Sequence, residues 1–328
     1  MPATVGLTLG KFAPLHKGHE YLIQTALSQV EELICLIYDS PEVTPIPLPT
    51  RSQWLRTLFP TVNVIELYGA PQEVGDTPEI KKRHEDFILK TLAGRKITHF
   101  FSSEFYGEHM SQALGAQDCR VDSSRATVPI SGTAVRANPY THRDKLSPVV
   151  YRDLIANIVF LGAPATGKTT LAEALAQKHH TLWMPEYGRE YWEAHQSERR
   201  LTLSQLVEIV EGHLEREEQK LLEADRFLFT DTNALTTYQF SLYYHNAVHP
   251  RLATLAEACL PRYRHVFVCD TDIAYDDTWD RSGDANRHAF QKQILADLQA
   301  RKIPYTSVQG SREARIAQVE QTLGKIAL

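Results

Sequence analysis

Apolar residues recur along this chain in two alternating rhythms. Short runs of apolar and β-branched residues give way to longer stretches in which apolar residues return every three or four positions. The first rhythm is that of a buried strand, the second that of an amphipathic helix. From residue 4 the order is a strand in TVGLTL, a helix in HEYLIQTALSQV with Leu22, Ile23, Ala26, Leu27 and Val30 on one face, and a strand in ELICLIY at 32–38. A helix capped by Thr50, the strand VNVIEL, a helix from Pro78 to Leu92 with proline in its first turn, and the strand ITHFFS at 97–102 follow. CRVD at 119–122 offers a fifth strand. Such alternation predicts a mostly parallel sheet covered by helices on both faces, with ligands at the C-terminal strand ends.

The polar stretch NPYTHRDKLSPVVYRD, 138–153, interrupts this grammar, and NIVFLG restarts it. A boundary there gives domains 1–145 and 146–328. The second half predicts a helix at 167–178, the strand TLWM, a long charged helix across 202–224, and strands FLFTD at 227–231, HVFVCD at 265–270 and YTSV at 305–308. The expected fold class is α/β, as two doubly wound parallel-sheet domains.

Composition supports two cores and narrows the partners. The chain has 328 residues, 43% hydrophobic and 23% charged, enough for each half to bury a core of its own. A formal charge of −5 sets up no net basic field, so small anions are expected before nucleic acid. Cys35, Cys119, Cys259 and Cys269 form no C-x-x-C pair, which argues against a disulfide framework or a thiolate zinc site. No window approaches the ~20 apolar residues that span a bilayer, and the N-terminus lacks a signal-peptide pattern. A cytoplasmic enzyme is expected, with homo-oligomerisation left open.

Candidate chemistry begins in the second half. GAPATGKT, from Gly162 through Ala163, Pro164, Ala165, Thr166, Gly167 and Lys168 to Thr169, fits G-x-x-x-x-G-K-[ST]. It lies between a β-branched strand and the helix opened by Thr169 and Thr170, the context of a phosphate-binding P-loop. Backbone N–H groups would close on phosphate oxygens, Lys168 would reach the outer phosphates, and the Thr169 hydroxyl would ligate Mg²⁺. Asp231, at the end of FLFTD, is either the carboxylate on the metal side or a helix cap. Glu186, after TLWM, is either an acceptor for a hydroxyl proton or a solvated helix start, with Arg189 and aromatic residues following it. Arg281 and Arg287, in WDRSGDANRHAFQ, are either flap arginines that meet the migrating phosphoryl group or surface charges.

The first half carries GKFAPLHKGH at 10–19, between a strand and a helix. A turn there points backbone amides, two imidazoles and two lysines to the sheet edge, an arrangement suited to a polyphosphate. Gly18 leaves room for close approach. Metal binding through the histidines would need a third ligand and a carboxylate that are not adjacent; histidines satisfied structurally at a helix start are the other alternative. Ser102 and Ser103 at a strand end are either pocket residues or a routine cap, Asp122 and Arg125 could form an ion pair ahead of ISGTAVR, and Trp279 is either a cover over a base or buried core.

These residues resemble a known family. G-x-F-x-P-x-H-x-G-H resembles the signature of the HxGH nucleotidyltransferases, and ISGTAVR at 130–136 is similar to their second signature, about 110 residues further on. Taken whole, with LGAPATGKTTLAEALA, EYGREY and TDTNALTT, the chain resembles the bifunctional NadR-type proteins, a nicotinamide mononucleotide adenylyltransferase followed by a ribosylnicotinamide kinase. The resemblance implies that Gly10, Lys11, Phe12, His16, Gly18, His19, Ser131, Thr133 and Arg136 hold the triphosphate of ATP, with His19 the most direct. It implies nicotinamide mononucleotide, nicotinamide riboside, ATP and NAD as ligands, Mg²⁺ as cofactor, and Glu186 or Asp231 as the acceptor of the riboside's hydroxyl proton. Some members carry an N-terminal helix-turn-helix; only nine residues precede Gly10 here, so DNA binding is not expected. Two other readings stand beside this one. A pantetheine-phosphate adenylyltransferase joined to dephospho-coenzyme A kinase would share the layout, although EYGREY and TDTNALTT speak against it. A nucleotide-sensing regulator would bind without turnover.

Overall fold

The protein is described from a computed structural model, for residues 3–71, 73, 75, 77–103, 107–198, 200–274 and 284–326. Trp279 and Arg281 lie outside the described residues. The chain divides into two compact units, Met1–Tyr151 and Arg152–Leu328.

In the first unit, strand β1 (Val5–Gly10) leads to helix α1 (Lys17–Leu27), β2 (Glu32–Tyr38), α2 (Leu48–Leu58) and β3 (Asn63–Leu67). Helix α3 (Pro78–Leu92), β4 (His99–Ser102), α4 (Gly107–Leu114), β5 (Gln117–Arg120), α5 (Gly132–Ala137) and α6 (Pro148–Leu154) complete the succession. The strands form one sheet in the order β3-β2-β1-β4-β5, every pair parallel. The chain thus winds outward from β1 to β3 and returns to β4 on the other side of β1. That reversal puts the switch point of the strand order at the C-terminal ends of β1 and β4, the place where sheets of this kind hold ligands. Leu7, Ile34, Leu36, Ile88 and Phe100 pack one face of the sheet.

Two local expectations shift. Helix α2 starts at Leu48 behind Pro47, with no side-chain cap, so Thr50 lies inside its first turn and does not begin it. The fifth strand ends before Val121, two residues earlier than CRVD suggests, because Asp122 turns into the left-handed region with φ +47°. The Asp122 carboxylate then accepts the N–H groups of Thr127 and Val128 at 3.0 and 2.9 Å, closing the loop that carries Arg125.

In the second unit the order is β6 (Ala156–Leu161), α7 (Lys168–Lys178), β7 (Leu182–Met184), α8 (Tyr187–His195), α9 (Leu203–Glu223) and β8 (Phe227–Asp231). Then come α10 (Ala234–His245), α11 (Pro250–Ala258), β9 (His265–Cys269), α12 (Asp284–Ala300), β10 (Thr306–Val308) and α13 (Arg312–Leu323). The sheet runs β10-β9-β6-β8-β7 and is again all parallel. Alternate residues of β6 feed two cores, as the pleat requires. Val159 and Leu161 pack against α9 to α12, while Ile158 and Phe160 pack against α7 and α13. Because β6 is buried along its whole length, its sequence is apolar but for Asn157, whose Oδ1 accepts the Thr230 hydroxyl at 2.7 Å.

Phe229 is fully buried, with Phe160 and Phe227 stacked beside it at 6.3 and 5.8 Å. Phe229→Ala is expected to destabilise the protein by about 3–5 kcal/mol, read from urea denaturation. A loss below about 1 kcal/mol would contradict this packing.

Candidate active sites

The first site grows from the end of β1. Phe12 adopts φ +46° just after Gly10, and the chain turns into α1 with His16 as its N-cap. His16 Nδ1 accepts the Gly18 N–H at 3.2 Å, and His19 Nδ1 accepts the His16 N–H at 3.3 Å. The two rings stack with centroids 3.7 Å apart, and Phe12 meets the His19 ring edge-on at 4.9 Å. A nitrogen that accepts carries no proton, so each neutral ring keeps its hydrogen on Nε2 and offers it as a donor. Burial, with the charges of Arg125 and Arg136, lowers the His16 pKa to about 4. His19 is also pushed well below the usual range, by burial first and then by His16, Arg136 and Arg125.

The second motif closes on the first. A Cβ on Gly132 would lie 3.8 Å from His16 Nε2 and 3.2 Å from Arg136 Nη1, so ISGTAVR runs beside the donor nitrogen. Arg136 donates from Nη1 to the Ala13 carbonyl at 3.1 Å and from Nη2 to Thr133 Oγ1 at 3.2 Å. Ser131 caps α5 by accepting the Ala134 N–H at 3.1 Å. Gly18 has no space to spare: a Cβ there would meet the His16 ring at 3.0 Å. Lys11 lies 3.5 Å from Glu42 in a half-exposed pair, the kind of contact worth ~1 kcal/mol or less. Ser102 is buried, and its hydroxyl would lie 2.2 Å from a Cβ on Gly107, so it packs β4 onto α4; Ser103 is half-buried.

The loop from Gly162 to Gly167 builds the second site between β6 and α7. Its two ends do different work. Gly162, at φ +138°, lies where a Cβ would strike the Cys269 carbonyl at 2.7 Å. The Ala163 N–H donates to Gln291 Oε1 at 2.8 Å, and Pro164 has no N–H to give. Gly162 and Ala163 thus pack the start of the loop against β9 and α12. Ala165 and Gly167 take φ +59° and +79°, and Lys168 and Thr169 open α7. A turn of this kind at a helix start is one that can present backbone N–H groups to an anion. Lys168 is buried, its Nζ donating to the Ala163 carbonyl at 3.0 Å, while Thr170 is exposed.

Asp231 and Thr169 meet here. Thr169 Oγ1 donates to Asp231 Oδ2 at 2.5 Å, while Oδ1 is buried with no hydrogen-bond partner among the described residues. The helix-cap alternative for Asp231 fails, because the cap of α10 is Asn233, whose Oδ1 accepts the Leu235 N–H at 3.0 Å. Burial raises the Asp231 pKa to about 6; Lys168 opposes the rise, Glu186 adds to it, and Thr169 and Arg189 lower it. Glu186 and Arg189 are thus within electrostatic reach of Asp231. Glu186 occupies the N-cap position of α8 without making a cap hydrogen bond.

Other expectations change. Arg287 lies on α12, not on a solvated loop, and is 4% exposed, donating to the carbonyls of Ala165, Thr271 and Ile273 at 3.4, 3.1 and 3.1 Å. One face of Tyr187 is covered by the Arg216 guanidinium, 4.0 Å from the ring centroid, and Tyr191 is buried with its hydroxyl on Glu208. These aromatic rings hold α8 on α9 and are not open platforms. Arg51, Gln291 and Arg315 were not anticipated at all. Arg51 is 1% exposed and donates to the carbonyls of Lys11, Tyr38 and Ile46. Arg315 is 3% exposed and donates to Thr166, Gly310 and Asp270 carbonyls and to the Asp272 carboxylate. One signal for Arg315 is in the sequence: it stands in register with Val319 and Leu323 on the apolar face of α13.

Comparison with known proteins agrees with this division. A cytidylyltransferase-like domain matches residues 7–138 and an AAA domain matches residues 157–315. The trifunctional NAD biosynthesis/regulator protein NadR of Escherichia coli (strain K12) is 28% identical over 327 residues, covering 93% of this chain and 79% of that protein. Its Salmonella typhimurium counterpart is 28% identical over 325 residues, covering 93% and 78%. The fold is shared with a NadR protein in complex with NAD and AMP-PNP, at 20% identity and TM-score 0.59 over 99% of this chain and 98% of that one. A NadR complex with NR gives 21% identity and TM-score 0.58 over 99% and 97%.

Since the folded-state pKa of His16 lies below its ordinary value of 6.5, the unfolded chain binds more protons between the two. Stability is expected to be complete above that window and to fall as pH drops through it toward 4. NMR titration of the His16 ring is expected to show no protonation down to about pH 5; a midpoint near the ordinary value would contradict the burial argument.

Proposed function

We propose that this chain, a NadR-type protein, joins two consecutive ATP-dependent steps of NAD formation. The second unit phosphorylates nicotinamide riboside, and the first unit adenylylates the resulting mononucleotide. The observation that carries the reading is a contrast between the two phosphate sites. One presents two stacked, neutral imidazoles beside Arg136; the other presents Thr169 bonded to Asp231, with Glu186 in electrostatic reach.

In the first unit, a phosphate oxygen of nicotinamide mononucleotide attacks the α-phosphorus of ATP, a new O–P bond forms, and the bond to pyrophosphate breaks. The attacking group is already ionised, so no strong base is required and catalysis rests on alignment and charge neutralisation. Neutral His16 and His19 donate from Nε2 without bringing a proton that must be removed first. Gly10, Lys11, Phe12 and Gly18 shape the turn around the triphosphate, and Ser131, Thr133 and Arg136 close it from the side of α5.

In the second unit the 5′-hydroxyl of the riboside attacks the γ-phosphorus, ADP leaves, and the hydroxyl proton must go to a base. Asp231 and Thr169 are assigned to the metal side, and Glu186 is assigned the hydroxyl proton. Lys168 and the amides of Ala165 to Thr169 hold the phosphates, and Arg189 lies near the acceptor side. Thr169 and Asp231 fit Mg²⁺: a hydroxyl and a carboxylate oxygen meet there, and the second carboxylate oxygen, Oδ1, is buried and unpartnered among the described residues. Bound Mg²⁺ would neutralise charge on the β- and γ-phosphates.

With nicotinamide riboside, ATP and Mg²⁺, the protein is expected to form the mononucleotide and then the dinucleotide. His19→Ala is expected to cut NAD formation from the mononucleotide at least about 100-fold and to spare riboside phosphorylation; Lys168→Ala is expected to do the reverse. A folded variant that loses both reactions equally would contradict the assignment of two independent sites. Adenylylation of phosphopantetheine with no reaction on the pyridine substrates would overturn the choice of substrate.

A further inference from the structure

Backbone carbonyls of the loop at Ala165 and Thr166 point away from the site into buried space, and each such carbonyl needs a donor there. Two arginines from separate helices supply them. Arg315 Nη1, from α13, donates to the Thr166 carbonyl at 2.6 Å, and Arg287 Nη1, from α12, donates to the Ala165 carbonyl at 3.4 Å. The same two guanidiniums bind the segment after β9, Arg315 at the Asp270 carbonyl and Arg287 at the carbonyls of Thr271 and Ile273. The loop and that segment therefore run as two rails joined by two cationic rungs. Arg315 is fixed further by the Gly310 carbonyl and by Asp272, whose other carboxylate oxygen takes the Gly310 N–H at 2.5 Å.

We propose that Arg315 and Arg287 are positioning residues for the bound nucleotide, acting through the loop backbone and not by contact with phosphate. The Thr166 carbonyl and the Gly167 N–H belong to one peptide unit, as do the Ala165 carbonyl and the Thr166 N–H. A cationic donor on the carbonyl side orients that unit and draws electron density from its N–H, which strengthens the N–H as a donor to phosphate. Ala165 bears the strain of a positive φ, and Gly167 adopts one freely; together they shape a turn whose N–H groups can face one side. The rungs hold that conformation from behind. Sequence order would suggest that Arg287 meets the migrating phosphoryl group; its burial and carbonyl partners give it this different task.

The proposal rests on the P-loop reading only in taking a nucleoside diphosphate as ligand, so its test does not depend on the phosphoryl acceptor. ADP affinity is measured by calorimetry on the full chain, alongside nicotinamide riboside affinity and the KM for ATP. Arg315→Gln is expected to weaken ADP about tenfold or more, with riboside affinity unchanged within about twofold; Arg315→Lys, which keeps one charged donor, is expected to fall between. Arg287→Gln is expected to act in the same direction. In the ligand-free protein the Gly167 amide proton is expected to move upfield in Arg315→Gln, while the Gly132 amide in the first unit stays in place. Unchanged ADP affinity in Arg315→Gln would overturn the proposal. So would a parallel loss of ADP and riboside binding in the folded Arg315→Lys protein, since a general structural role produces that pattern. If riboside fails to bind even the unsubstituted protein while ADP responds as expected, the acceptor assignment fails and the positioning role stands.

Discussion

A loop that grips phosphate through its N–H groups must turn its carbonyls the other way, and in a compact protein that way is inward. A buried carbonyl without a donor costs as much as a lost hydrogen bond. This constraint explains why arginines gather behind both sites. Arg51 holds the Lys11 carbonyl and Arg136 the Ala13 carbonyl in the first unit, while Arg287 and Arg315 hold Ala165 and Thr166 in the second. Arginine suits the task because one guanidinium presents five donors in a fixed plane and stays charged when buried. Without these ties the turns would have to relax, and the amides and imidazoles they present would scatter.

Both sheets place their glycine-containing motif turn after the first strand of the unit, at a central position. In the first sheet β1 lies between β2 and β4; in the second β6 lies between β8 and β9. Each central strand is fixed from both sides, so the turn after it starts from a rigid base. The two sites then diverge in what they add. His16 and His19 fix each other through stacking and backbone hydrogen bonds, and burial keeps them neutral. Asp231 is placed by the end of β8 against Thr169 at the start of α7, and burial raises its proton affinity.

Much of the strand and helix order was legible because the central strands of both sheets are buried and carry apolar runs, as in LICLIY of β2 and the FLF that opens β8. The helix from Pro78 to Leu92 was equally clear, since Thr77 caps it and proline opens it. Motif residues were legible where their chemistry is local: His16, His19 and Gly18 interact within one turn. Contacts made across long sequence separations were not. Arg315 meets Thr166, and Gln291 meets Ala163, only after the sheet has formed. The short strand at Gln117–Arg120 was displaced because only the turn at Asp122 defines its end, and aspartate does not announce a left-handed conformation in advance. The aromatic residues after Glu186 misled for a related reason: their partners Arg216 and Glu208 lie on the next helix.

One polypeptide with two separate cradles for a nucleoside triphosphate must bind two such molecules. Calorimetric titration of the full chain with a non-hydrolysable ATP analogue and Mg²⁺ tests it most directly. Two molecules bound per chain, with one site lost in His19→Ala and the other in Lys168→Ala, is the predicted result. A single site, or two sites that vanish together on either substitution in a folded protein, would contradict it.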